Sequence, residues 1–186
     1  LIDGGQISAV QLDPAGSHGD QFRFLLTTQE NIAVNGAKND SEAIQLIHYM
    51  LENTQDPEDR KELVETLSKS NLSSDLAVTA LSKALLTEKD PEIQNTLIES
   101  IAGQDQPIVK EALLGIVMGE YAESVRLKAL EILEKFMDDA YIRNMLSIVA
   151  ATDEIQTIRD KARQMLMKIK QTKSSIEKKD FEGEIK

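Results

Sequence analysis

The sequence predicts an all-α fold, an α-solenoid of about four helix pairs preceded by a short extended or β-hairpin segment. Three observations carry that prediction. The phrase SVRLKALEIL (124–133) returns as TIRDKARQML (157–166), with weaker echoes in EIQNTLIESI (92–101) and EDRKELVETL (58–67). With Arg60, Gln94, Arg126 and Arg159 taken as equivalent anchors, the spacings are 34, 32 and 33 residues. A period of about 20–50 residues with one supersecondary unit each marks a stacked repeat. Each period, finally, holds two apolar stripes at helical spacing.

The first stripe lies 17, 14, 13, 10 and 9 residues before each anchor; the −13 column, for example, reads Ile47, Leu81, Leu113 and Leu146. The second surrounds the anchor: Leu63, Leu97, Ala129 and Ala162 follow it by three residues, and Leu67, Ile101, Leu133 and Leu166 by seven. Two stripes per period mean two helices per unit, expected near 41–54, 57–69, 74–88, 91–102, 107–119, 122–137, 139–151 and 154–171. Asp56-Pro57 and Asp90-Pro91 each supply an N-cap followed by proline at the first helical position. Ser73-Ser74-Asp75 offers a cap to the third helix, and Gly103 follows the fourth as a stop. The short connections make neighbouring helices antiparallel.

Two columns break at the ends. The residue before the anchor reads Asp59, Ile93, Val125, Ile158, and the fourth after it reads Val64, Ile98, Leu130, Arg163. Terminal units of a stack expose one face to water, so Asp59 and Arg163 fit capping units; chance substitution is the alternative.

Outside the repeats, residues 1–39 form an N-terminal extended segment. QISAVQL (6–12) and QFRFLLT (21–27) have strand composition, Phe22 and Phe24 share a face by alternation, and DPAGSHGD (13–20) is a turn. NGAKND (35–40) reads as a linker into the helical domain, residues 40–171, and residues 172–186 read as a polar tail, normally mobile.

The net charge of −11 is concentrated on the helical middle: residues 1–40 carry −3, 41–168 carry −9 and 169–186 carry +1. An acidic surface repels phosphate backbones and anionic lipids, which excludes nucleic acid as the expected partner. No apolar run reaches the ~18–20 residues of a membrane span. Cysteine is absent, so thiol chemistry and disulfides are excluded. Leu at position 1 implies a processed or shortened chain, and the compartment stays open between cytoplasmic and exported.

The phrase Val125-Arg126-Leu127-Lys128-Ala129-Leu130-Glu131-Ile132-Leu133, with Ile158-Arg159-Asp160-Lys161-Ala162, resembles the second helix of HEAT-like repeats over residues 41–168, in the compact form seen in bilin lyases and many bacterial proteins. The resemblance implies a right-handed solenoid whose second helices line the concave surface. The first two units carry Asp59-Arg60 and Ile93-Gln94 instead of the full Val-Arg pair, leaving the subfamily open. The TPR repeat is the rival; its Trp and Leu-Gly-Tyr pattern is missing.

HEAT-like enzymes need recognisable parts. The only histidines, His18 and His48, are followed by Gly and Tyr rather than the Glu of a di-iron His-Glu pair, so no metal site is expected. DPAGSHGD lacks the lysine and spacing of a phosphate loop. A bilin lyase-like subunit is harder to set aside, although few aromatics lie along the second helices. No catalytic residues and no cofactor are expected. The expected function is therefore a non-enzymatic protein-binding module: scaffold, adaptor or assembly factor. A regulatory or lyase-like subunit handling a chromophore or small ligand is one alternative, and a structural spacer domain of a longer chain is another.

The candidate partner-binding residues lie five positions after each anchor: Glu65, Glu99, Glu131 and Gln164. Stacked equivalent helices lie about 10 Å apart. On a concave face these residues would form an acidic stripe suited to a basic peptide or helix. The competing explanation is that glutamate is simply a good helix former on a wet face, with Lys61, Lys128 and Lys161 near enough to neutralise it.

Overall fold

The structure, a computed structural model, describes residues 9–13, 16, 21–27, 31–37, 40–54, 56–68 and 75–183. The protein is mostly helical with a small sheet. Among the described residues three strands, β1 (Ala9–Leu12), β2 (Gln21–Thr27) and β3 (Asn31–Ala37), precede eight helices. These are α1 (Ser41–Asn53), α2 (Pro57–Ser68), α3 (Asp75–Thr87), α4 (Pro91–Ile101), α5 (Pro107–Met118), α6 (Glu123–Leu133), α7 (Ala140–Thr152) and α8 (Gln156–Gly183). The chain divides into two compact units, residues 1–109 and 110–186.

In the first unit the sheet is an antiparallel meander in the order β1-β2-β3. Phe24 faces Leu12 on one side and Val34 on the other. Phe22 and Phe24 share the inner face, fully buried, with ring centroids 6.2 Å apart. The third strand corrects the expectation of a hairpin and of a linker beginning at residue 35. Asn35-Gly36 opens the segment read as a linker, yet it continues β3, where the backbone passes close to α1. A Cβ on Gly36 would lie 2.8 Å from the Ala43 Cβ, so glycine here serves close packing of strand on helix.

The helices start and stop for local reasons. Asp40, Asp90 and Asp139 each cap a first turn, their carboxylates accepting bonds from the Glu42, Glu92 and Tyr141 amides at 3.0, 2.8 and 2.8 Å. Asp56 does the same for α2, accepting from the Glu58 amide at 2.8 Å. Asp75 opens α3 and accepts from Gln106 Nε2 at 3.2 Å; the expected caps Ser73 and Ser74 lie outside the described residues. Helix α6 stops at Leu133, short of the expected 137, and gives way to a 3-10 turn over Glu134–Phe136. There Arg143 Nη1 donates to the Met137 and Asp138 carbonyls at 2.8 and 2.5 Å. Helix α8 runs to Gly183, past the expected end at 171 and into the segment read as a polar tail. From 156 to 182 it meets no proline or glycine, and the segment after 171 still holds the helix formers Lys173, Glu177, Lys178, Lys179 and Glu182.

The first unit's core is built by α1 on α3, α2 on α4 and α3 on α4, with Ile47, Val64, Leu81, Leu97 and Ile98 buried among them. In the second, α7 and α6 both pack on α8, burying Ala129, Leu130, Leu146, Ile158 and Ala162. The column breaks are visible in solvent exposure. Asp59 and Arg163 are exposed, whereas Ile93, Val125 and Ile158, and likewise Val64, Ile98 and Leu130, are buried.

Candidate functional site

The four anchors share one structural task. Each sits in the first turns of the second helix of its pair and donates to a carbonyl at the end of the first. Arg60 Nη1 reaches the Thr54 carbonyl at 3.2 Å and Gln94 Nε2 the Glu88 carbonyl at 2.7 Å. Arg126 Nε donates to the Val117 carbonyl at 2.8 Å, and Arg159 Nη1 to that of Asp153. Terminal carbonyls of a helix have no partner within it; a long side chain from the next helix supplies one and fixes the turn between them.

Two anchors also reach forward to the following pair. Arg60 makes a two-pronged bond to the Glu88 carboxylate, at 3.0 and 3.3 Å. Arg126 Nη2 donates to Asp153 Oδ2, both side chains about nine-tenths buried. Glu88 and Asp153 stand six residues before the next anchor, so each arginine ties two pairs together. Sequence reasoning isolated the anchors but missed these acids; a column drawn at −6, Thr54, Glu88, Glu120, Asp153, carries the signal.

The candidate partner-binding residues lie on the second helices, wholly or partly open to solvent. Glu65 on α2 is half-buried; Glu99 on α4, Glu131 on α6 and Gln164 on α8 are exposed. Glu65 and Glu99 belong to packed neighbours in the first unit, and Glu131 and Gln164 to packed neighbours in the second. Two of the nearby lysines, Lys61 and Lys161, pair with other carboxylates. Lys61 Nζ donates to Glu92 at 3.2 Å, which together with the Glu92 charge raises its pKa above 10.5; Glu58 and Glu65 add smaller contributions. Lys161 lies 3.6 Å from Glu134, and Lys168 donates to the same carboxylate at 2.6 Å. Glu134 is held below its ordinary 4.5, first by the Lys168 hydrogen bond and then by the charges of Lys168 and Lys161, with burial opposing them.

Open grooves lie at the helix ends. One of about 530 Å³ in the second unit is lined by Met118, Tyr121 and Ile148 together with Glu120, Asp153 and Glu154. One of about 460 Å³ in the first unit lies where α1 and α3 end, beside the Arg60–Glu88 pair. His48 lines it, half-buried, with Nε2 3.4 Å from Glu52. His18 and most of DPAGSHGD lie outside the described residues; Asp13 accepts from the Gly16 amide at 3.0 Å, as a turn requires. Among the described residues no cluster of three His, Asp or Glu side chains is arranged to hold a metal ion, and no helix is long and apolar enough to cross a membrane. In comparison with known proteins, no family model, no curated protein and no solved structure matches the chain.

Proposed function

We propose that this protein is a non-enzymatic protein-binding module, a scaffold, adaptor or assembly factor, whose four helix pairs stack as a right-handed HEAT-like solenoid. The second helices α2, α4, α6 and α8 line its concave face and receive a basic peptide or helix there. The observation that carries the reading is the exposure pattern. Val64, Ile98 and Leu130 are buried, whereas the next residues, Glu65, Glu99 and Glu131, turn wholly or partly to solvent at equivalent positions. A row of carboxylates at the repeat interval favours a cationic partner. The grooves are open and mix apolar with charged lining, as in the 530 Å³ groove that includes Glu120 and Glu154. That supports a polypeptide over a flat chromophore, which wants a deep apolar pocket.

The test is a partner captured by the intact chain and identified by mass spectrometry, then titrated against wild type and E65Q/E99Q/E131Q at low and high salt. Exposed ion pairs are each worth about 0.2–1 kcal/mol, so three together weaken binding by about tenfold at low salt and by less at high salt. Equal affinity at low salt rejects the concave-face reading.

A further inference from the structure

Beside the sheet, β1 and the start of α2 enclose a groove of about 460 Å³. Its base is apolar: Met50 of α1 and Leu63 of α2 are buried there. One wall is the strand Val10–Leu12, which among the described residues pairs with β2 alone and is therefore an edge. The opposite rim carries Asp56, Asp59 and Glu62, all exposed.

The cations of α2 are committed elsewhere. Arg60 is bonded to Glu88 and Lys61 to Glu92, both on the side of the next pair. Among the described residues no basic side chain lines the groove, and neither Asp59 nor Glu62 pairs with a cation. The groove thus combines an unpaired strand edge, an apolar base and three exposed carboxylates, of which Asp56 also caps α2 while Asp59 and Glu62 have no cation beside them among the described residues. An edge strand offers backbone donors and acceptors to an incoming strand, while side-chain pockets beside it set the sequence preference.

We propose that this groove is a docking site for an extended basic segment of a partner protein, which adds to the sheet as a fourth strand alongside β1. Alternate side chains of the segment drop onto Met50 and Leu63, and its lysines or arginines meet Asp56, Asp59 and Glu62. The surface is separate from the glutamate column on α2, α4 and α6 and does not depend on it. It also gives Asp59 a role beyond facing water: at this position the other units bury Ile93, Val125 and Ile158.

The probe is a fluorescein-labelled octapeptide of alternating valine and lysine, titrated against the full chain by anisotropy at low salt, with amide chemical shifts followed in parallel. Binding is expected, with shifts at 10–12 and 59–63. D59K/E62K and the milder D59N/E62Q, whose fold is checked by circular dichroism, should weaken it by tenfold or more and by several-fold. A glutamate-for-lysine peptide, and one N-methylated along one edge, should not bind. In E65Q/E99Q/E131Q, whatever happens at the glutamate column, the shifts at 10–12 and 59–63 should persist. Absence of binding, unchanged affinity in D59K/E62K, equal binding of the N-methylated peptide, or loss confined to E65Q/E99Q/E131Q each overturns the proposal; the last places the peptide on the glutamate column instead.

Discussion

Replacing Arg126 with methionine keeps the unbranched apolar stem and removes the guanidinium with its charge and donors. In the native protein Arg126 is 7 % exposed, and it donates to the Val117 carbonyl and to Asp153, whose side chain is 10 % exposed. R126M leaves that carboxylate buried without its cation, its remaining bond being the one from the Ile155 amide at 3.0 Å, and leaves the end of α5 without its cap. Breaking a buried ion pair from one side costs about 3–5 kcal/mol, and the carbonyl loss overlaps with it rather than adding in full. For a chain of this size that is a fall in Tm of roughly 6–20 °C. The same change at Arg60 should cost less, about 1–3 kcal/mol. Glu88 keeps bonds from two amides, those of Lys89 and Asp90 at 2.7 and 2.9 Å, where Asp153 keeps one, and Arg60 is more exposed than Arg126. Gln94→Ala, which removes one neutral bond to the Glu88 carbonyl, should cost about 1 kcal/mol. Urea unfolding followed by circular dichroism gives the order. R126M/D153L, which removes both charges, should recover part of the R126M loss. If R126M lies within about 0.5 kcal/mol of wild type, or costs less than R60M, the clasp does not hold the second unit as described.

Ala129 is fully buried, so A129L should overpack its contact at a cost of about 1–3 kcal/mol, read as a lower Tm. G36A should destabilise by a similar amount because its Cβ meets that of Ala43 at 2.8 Å, whereas G103A, with open space around it, should be neutral or stabilise by up to about 1 kcal/mol in the same thermal scan. D90A removes the carboxylate bonded to the Glu92 and Ile93 amides and should cost about 1 kcal/mol by urea unfolding. Glu134 has its pKa depressed by Lys168 and Lys161, so its contribution is present above the unfolded value and lost as pH falls below 4.5 through the lower folded value. This partly exposed group is worth about 0.2–1 kcal/mol, and E134Q should show a correspondingly smaller loss of stability on acidification in urea titrations.

The helices were legible because their signals are local. Asp56-Pro57 and Asp90-Pro91 announce α2 and α4 within four residues, and the stripe through Leu81 and Leu85 needs no knowledge of its neighbours. Strand β3 was not, because Gly36 looks like part of a linker until Ala43 of α1 is known to lie against it. The anchors stood out as a column, but their role depends on acids 28 and 27 residues further on, Glu88 for Arg60 and Asp153 for Arg126. The groove beside β1 was harder still. Asp59 was seen as an exposed end residue, but the strand that faces it is brought there by the packing of the sheet on α1.

The forward reach of the arginines gives the two units different failure modes when a pair detaches. Peeling α1 and α2 away removes the cation and leaves Glu88 still held by two amides of its own turn. Peeling α7 and α8 away removes the acid and leaves Arg126 with the Val117 carbonyl as its bonded partner among the described residues. Loss of the leading pair is therefore the gentler event, and loss of the trailing pair the harsher one. Fraying along the chain has a preferred direction, written into which partner of each ion pair comes first.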